Sequence, residues 1–93
     1  MLQTKSVLQT LGLGKNGVTK KGMAKFAPRV GCMTALRYLT LSDNPIGDEG
    51  TLTLVPYLQD MRHIEIVSLL NCNVTDEGLI KMRKFRVGNI FRM

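Results

Sequence analysis

The feature that most constrains the fold of this 93-residue chain is a 28-residue internal repeat. The turn NPIGDEG at 44–50 is followed by NVTDEG at 73–78. Sliding the sequence on itself by one period aligns six columns of similar residues without gaps. The columns are Leu8/Leu36/Ile64, Leu11/Leu39/Val67, Leu13/Leu41/Leu69, Asn16/Asn44/Cys72, Val18/Ile46/Val74 and Gly22/Gly50/Gly78. A fixed period of this length predicts stacked copies of one structural unit.

Each copy combines the pattern of a short strand with that of a helix. Leu39, Thr40 and Leu41 alternate between apolar and polar, which is typical of a half-buried strand. After the turn, Leu54 and Leu58 follow Gly50 at intervals of four residues, which predicts a helix with one apolar stripe. Such a unit cannot cover its own apolar interior, so copies stack and the turn repeats with them.

These residues resemble the leucine-rich repeat signature LxxLxLxxNxI, written here as LRYLTLSDNPI, LQTLGLGKNGV and IEIVSLLNCNV. The 28-residue unit with GDEG or TDEG before its helix is similar to the ribonuclease-inhibitor-type subclass, which is also seen in Ran GTPase-activating proteins and NOD-like receptor tails. The similarity covers roughly residues 8–85. The resemblance implies an α/β fold, an open curved solenoid of about three strand-turn-helix units with a parallel sheet on its concave face and helices on its convex face.

The period also divides the chain. It predicts a lead-in at 1–7, repeat 1 at 8–35, repeat 2 at 36–63, repeat 3 at 64–85 and a basic tail at 86–93. The helix of repeat 3 is expected to be partial, because Arg83 and Arg86 replace Val55 and Leu58. A fourth strand is expected only from residue 92, and no capping element is expected at either end. We therefore expect a piece of a longer repeat protein, or a small subunit whose ends are covered by protein partners.

Two sets of strand and turn residues are assigned roles from the alternation of side chains. Three residues are predicted to point inward as a structural ladder that satisfies buried turn groups: Asn16, Asn44 and Cys72. Six residues are predicted to point outward as a protein-binding surface: Tyr38, Thr40, Ser42, Ile66, Ser68 and Leu70. The same alternation puts Thr10, Gly12 and Gly14 on that outward face. Tyr38, Ile66 and Leu70 are expected to form an apolar patch for a partner.

The distribution of charge supports a second hypothesis. The net charge is +6, and residues 1–35 and 81–93 hold six and five basic side chains with no acidic ones. A basic ribonucleoprotein component could contact RNA through these two ends. The candidate contacts near the C-terminus are Lys81, Arg83, Lys84, Arg86 and Arg92, interleaved with Phe85, Ile90 and Phe91. Regulation of a small GTPase is a third hypothesis, which rests on family analogy alone.

No pattern predicts an enzyme, a cofactor, a metal site or a small-molecule substrate. The GLGKNG stretch at 12–17 matches GxGxxG, but the repeat accounts for it and no acidic residue precedes Asp43. Two distant cysteines predict no disulfide framework and favour an intracellular, reducing compartment, the cytoplasm ahead of the mitochondrion. No apolar run approaches the roughly 18 residues needed to span a membrane.

Overall fold

The computed structural model describes residues 7–85 and 89–93 of the chain. Strands and helices alternate along this part of the sequence. Their bounds are β1 Thr10–Gly12, α1 Lys20–Gly31, β2 Tyr38–Thr40, α2 Gly47–Leu58, β3 Ile66–Ser68, α3 Asp76–Met82 and β4 Phe91–Arg92. This order is the strand-turn-helix unit predicted by the sequence pattern.

The strands form one parallel sheet in the order β1-β2-β3-β4. Thr10 pairs with Tyr38, and Tyr38 pairs with Ile66, so the register of the first three strands follows the 28-residue period. Each connection between neighbouring strands crosses over through a helix, as parallel strands require. The predicted α/β repeat solenoid is confirmed.

The core lies between the sheet and the helix layer. Leu39 and Val67, the central residues of β2 and β3, are buried on the helix side. The helices contribute Met23, Ala27 and Val30 from α1, Leu54, Val55 and Leu58 from α2, and Met82 from α3. Each helix therefore buries one stripe against the sheet, and the opposite face of each strand remains open.

Gly50 and Gly78 permit neighbouring helices to approach closely. A Cβ atom at Gly50 would lie 2.4 Å from Ile46 Cγ2 and 3.3 Å from the Cα atom of Lys20 on the preceding helix. A Cβ atom at Gly78 would lie 2.2 Å from Asp48 Oδ1. The repeated glycine thus follows from the contact between successive units.

Side chains also join one repeat to the next. Asp48 Oδ1 accepts a hydrogen bond from the Thr75 backbone N–H at 2.8 Å, and its other carboxylate oxygen accepts one from the Thr75 hydroxyl. Lys20 Nζ lies 2.8 Å from Glu49 Oε2 and so joins α1 to α2. The sequence explains these acidic residues through the helix dipole, whereas the structure shows that they also make specific contacts between repeats.

Repeat 3 departs from the period. Helix α3 is seven residues long where α2 is twelve. Phe91 pairs with Val67, so the fourth copy starts four residues earlier than the period predicts. From the end of the helix to the register-equivalent strand residue the chain advances nine residues in both cases, from Leu58 to Val67 and from Met82 to Phe91, so the missing residues come from the helix. The predicted tail at 86–93 is corrected accordingly, because β4 lies within it.

Candidate protein-binding surface on the sheet

The strand residues that face away from the helices form a continuous surface, here called the open sheet face. Its described strand members are Thr10, Gly12, Tyr38, Thr40, Ile66, Ser68 and Arg92. They alternate with buried Leu39 and Val67, because successive side chains in a strand point to opposite sides. The resemblance implies that this is the concave face of the solenoid.

The predicted apolar residues are distributed over this face. Tyr38 and Ile66 are register partners on neighbouring strands, about 4.8 Å apart, and both are partly exposed. Leu70 follows β3 in the next turn, and half of its surface is exposed. Tyr38 and Ile66 therefore lie side by side, and Leu70 adds a large apolar group beyond the end of the same strand.

Hydroxyl groups accompany this apolar pair. Thr40 and Ser68 are the next pair in register, with Thr40 exposed and Ser68 partly buried. Ser42 Oγ lies 2.7 Å from Ser68 Oγ, so these two hydroxyls share a hydrogen bond between neighbouring repeats. The open sheet face thus offers donors and acceptors beside the apolar side chains.

The Tyr38 ring contacts a charged side chain just before the start of β2. The guanidinium carbon of Arg37 lies 5.4 Å from the centroid of the Tyr38 ring, within the range of a cation–π contact. The Arg37 guanidinium also donates to the carboxylate of Glu65 on the next repeat, and this contact raises the pKa of Arg37. The cation–π contact therefore favours this placement of the Tyr38 ring, and the bond to Glu65 positions the Arg37 guanidinium.

Part of the first strand contributes no side chain to the open sheet face. Gly12 has no side chain, and a Cβ atom there would meet no other atom within 4 Å. Gly14, in the following turn, is also exposed. A partner can therefore approach the backbone of β1 more closely than that of β2 or β3.

The fourth strand adds a residue that the sequence had assigned elsewhere. Arg92 pairs with Ser68 and so lies in the row of Gly12, Thr40 and Ser68. Its guanidinium donates to the carbonyl oxygens of Asn89 at 2.9 Å and Phe91 at 3.3 Å. The sequence carries no alternation signal for this strand, because Ile90 and Phe91 are both apolar, and its spacing from β3 breaks the 28-residue period.

Among the described residues predicted to contact nucleic acid, Arg92 lies apart from Lys81, Arg83 and Lys84. Lys81 is on α3, where its ammonium group lies 3.5 Å from Glu77 Oε1, and Arg83 and Lys84 are exposed just after the helix. Arg92 is on the open sheet face, and Arg86 lies outside the described residues. Phe85 and Phe91 pack in part against the core, and both rings line a hollow that also includes Arg83.

Asn44 forms a complete hydrogen-bond network inside the stack. Its Oδ1 accepts from the backbone N–H groups of Asn16 at 2.9 Å and Val18 at 3.0 Å. Its Nδ2 donates to the carbonyl oxygens of Leu13 at 2.7 Å and Leu41 at 2.8 Å. The side chain is fully buried, so one amide satisfies turn groups of two repeats.

Cys72 and Asn16 use the same position differently. The Cys72 thiol donates to the Leu41 carbonyl oxygen at 3.0 Å, which reproduces the contact of Asn44 with Leu13. Ile46 is the counterpart of Val18, whose backbone N–H donates to the amide oxygen of Asn44. The Ile46 N–H instead donates to the backbone carbonyl of Asn44 within its own turn. Asn16 is exposed, so the predicted ladder of buried turn residues does not extend to repeat 1 in the described chain. The reason is that this side chain serves the preceding repeat, and no preceding turn lies against it in the described chain.

Residues with catalytic or metal-binding chemistry are scattered. Within 7–85 and 89–93, no three His, Cys, Asp or Glu side chains are grouped so that they could hold a metal ion. Cys32 and His63 are exposed, and Cys72 is buried in the stack. Across the same described ranges, no helix combines the length and apolar character required to cross a membrane.

The architecture defines a class of protein, the solenoids built from stacked strand-turn-helix units. A family model described as a Leucine Rich repeat matches residues 32–55 and 60–82, and the chain belongs to this family, in its ribonuclease-inhibitor-type form. The ribonuclease inhibitor of Mus musculus is 36% identical over 69 residues, which cover 73% of this chain. The chain spans only 15% of the length of that relative.

Proposed function

We propose that this chain is a non-catalytic protein-binding module that contacts its partner through the open sheet face. The observation that carries the proposal is the placement of Tyr38 beside Ile66 in register, with Leu70 half exposed beyond them. Apolar groups rimmed by hydroxyl-bearing residues are typical of partner sites, and tyrosine is a frequent anchor. Because the contact with Arg37 already favours this placement of the Tyr38 ring, less conformational entropy is lost on binding.

The name of the mouse relative supplies a first probe. That protein is called a ribonuclease inhibitor, so a purified ribonuclease is the first partner to test against this chain. Since the chain corresponds to 15% of that relative, the partner of the whole relative and the partner of these repeats can differ. A parallel capture experiment with native extract and mass spectrometry therefore provides the second source of partners.

The decisive experiment compares two double variants in the same binding assay. Tyr38→Ala with Leu70→Ala removes the apolar groups of the open sheet face, and we expect at least a tenfold weaker Kd, about 1.4 kcal/mol. Tyr57→Ala with Ile80→Ala removes an exposed tyrosine and an exposed aliphatic residue from the helix layer, and this control should bind like wild type. Equal binding by wild type and the Tyr38/Leu70 variant would reject the open sheet face as the site.

We further propose that the two end repeats contact other repeats or subunits. Leu11, Leu13 and Val18 of repeat 1 are only partly buried, and at the other end Leu79, Phe91 and Met93 line a hollow of about 350 Å³. Apolar stacking surfaces of this kind normally lie against a neighbouring unit or a cap. If residues 1–93 alone sediment as a monomer and unfold cooperatively well above room temperature, the ends need no such neighbour.

A further inference from the structure

The turn of repeat 1 contains the one Asn-Gly pair of the sequence, formed by Asn16 and Gly17. The other four asparagines precede bulkier residues, in the pairs Asn44-Pro45, Asn71-Cys72, Asn73-Val74 and Asn89-Ile90. An asparagine side-chain amide can be attacked by the backbone nitrogen of the residue that follows it. Glycine has no Cβ atom to crowd that nitrogen, so the reaction is most favoured at Asn16.

Both reacting groups are accessible in the structure. Asn16 and Gly17 are exposed, and a Cβ atom at Gly17 would meet no other atom within 4 Å. The backbone N–H groups of Asn16 and Val18 donate to Asn44 Oδ1, whereas that of Gly17 donates to no acceptor in the described part of the chain. The Gly17 nitrogen is therefore open to water and to the base that must remove its proton.

The equivalent asparagine of repeat 2 is protected from the same reaction. Pro45 has no backbone N–H, so its nitrogen cannot lose a proton and close the ring. Asn44 is also completely buried, with both the oxygen and the nitrogen of its amide in hydrogen bonds. The two aligned asparagines thus differ both in the residue that follows them and in exposure.

From these observations we infer that Asn16 is a site of spontaneous deamidation. The Gly17 nitrogen loses its proton to a base in solution and forms a bond to Asn16 Cγ. The bond between Cγ and Nδ2 then breaks, and Nδ2 takes up a proton and leaves as ammonia. The product is a succinimide, which water opens at either carbonyl carbon to give aspartate or isoaspartate. The net change exchanges ammonia for water.

Isoaspartate alters the contact between repeats 1 and 2. Its main chain runs through Cβ and Cγ, which inserts an additional carbon atom between residues 16 and 17. Asn44 Oδ1 accepts from the N–H groups of Asn16 at 2.9 Å and Val18 at 3.0 Å, and these two residues flank the inserted atom. One amide oxygen can accept both donors only while their spacing is kept, so the isoaspartate form loses part of this contact.

The test incubates the purified 93-residue chain at mildly alkaline pH and follows each asparagine by peptide mapping with mass spectrometry. A protein isoaspartyl methyltransferase identifies the isoaspartate. We expect Asn16 to convert about tenfold faster than Asn73 in the same sample, because Val74 carries a β-branched side chain beside its nitrogen. Asn73 is a matched internal control, since it is exposed and the Val74 N–H also donates to no acceptor among the described residues. Equal rates at the two asparagines, or an unchanged Asn16, would overturn the inference.

Two variants separate the reaction from its effect on the stack. Asn16→Gln lengthens the side chain, which disfavours ring closure, so it should stay unmodified and melt like the wild type. Asn16→Asp carries the charge of the product on an unaltered backbone, and should also melt like freshly purified wild type. The isoaspartate fraction of the aged wild type, separated by ion exchange, should melt a few degrees lower.

Modification of Asn16→Gln at the wild-type rate would show that the reaction does not proceed through the Asn16 amide. Equal melting of the isoaspartate fraction and Asn16→Asp would overturn the predicted effect on the contact between repeats 1 and 2. Because these measurements use the chain without a partner, their outcome does not depend on the proposed protein-binding surface.

Discussion

Repeats 1 and 2 have matching sequence columns but different surroundings. Leu39 and Leu41 of repeat 2 are completely buried, whereas their counterparts Leu11 and Leu13 are only partly buried. Asn44 is buried with bonds to both turns, while its counterpart Asn16 is exposed. The difference shows that a repeat residue gains most of its stabilising contacts from the neighbouring copy.

Replacing the central asparagine should have the largest effect on this comparison. Asn44→Leu leaves backbone groups of Leu13, Asn16 and Val18 without partners, each costing about 1 to 3 kcal/mol. We expect loss of the cooperative melting transition. Asn16→Leu, the matched variant in repeat 1, should change the free energy of unfolding by less than about 0.5 kcal/mol. Similar melting curves for the two variants would show that position within the stack does not determine the role of the asparagine.

The leucines of the strands should differ in the same direction. Leu39→Ala empties a fully buried site, and we expect a loss of about 3 kcal/mol in the free energy of unfolding. Leu11→Ala, at the partly buried equivalent position, should cost roughly half as much or less. Urea denaturation of both variants measures this difference. A larger loss for Leu11 would indicate that repeat 1 is covered as completely as repeat 2.

The glycine column provides a third, smaller contrast. Gly50→Ala introduces a Cβ atom too close to Ile46 and to the backbone of α1, and should destabilise the fold by about 1 to 3 kcal/mol. At Gly22 the nearest atom to such a Cβ is Val18 Cγ1 at 3.5 Å, an ordinary contact. Gly22→Ala should therefore be neutral or stabilise the helix by up to about 1 kcal/mol. Equal destabilisation of the two variants in thermal melts would contradict this account of the column.

The smallest expected effect concerns the link from Asp48 to Thr75. Hydrogen bonds from the Thr75 hydroxyl and backbone N–H lower the pKa of Asp48. The stabilisation is therefore fully present above the ordinary carboxyl pKa, about 4, and is lost as pH falls through the lower pKa of the folded state. Asp48→Asn should melt below wild type at pH 7, with the difference shrinking under acidic conditions. Glu49→Gln serves as a comparison, since its exposed pair with Lys20 should contribute less.

The sequence predicted the parts of the fold that depend on the period. Leu39 and Val67 occupy equivalent buried positions, because a parallel stack repeats the same environment in each copy. The period could not predict β4, since the spacing between paired strands shortens where α3 is shorter.

The candidate protein-binding surface was predictable only in part. Alternation along the strands is sufficient to assign Tyr38 and Ile66 to the same face, because side chains in strands have a period of two. The contribution of Arg92 to that face required the pairing of β4 with β3. Asn16 is exposed because the side-chain amide in this column bonds to the preceding repeat, as Asn44 does. An alignment of columns does not indicate whether the amide bonds to the preceding or to the following repeat.

The shortened helix of repeat 3 indicates how the length of a unit in this stack can change over evolution. Helix α3 ends four residues before the position equivalent to Leu58, while the spacing from the helix end to the register-equivalent residue of the next strand stays at nine residues. Removing four residues turns a helix by about 400°, close to one full revolution, so its apolar stripe still meets the sheet. Removing two would turn the stripe about 200° towards solvent. Insertions and deletions in these helices are therefore expected to be accepted in steps of three or four residues, a rule that also applies to the design of repeat units of unequal length.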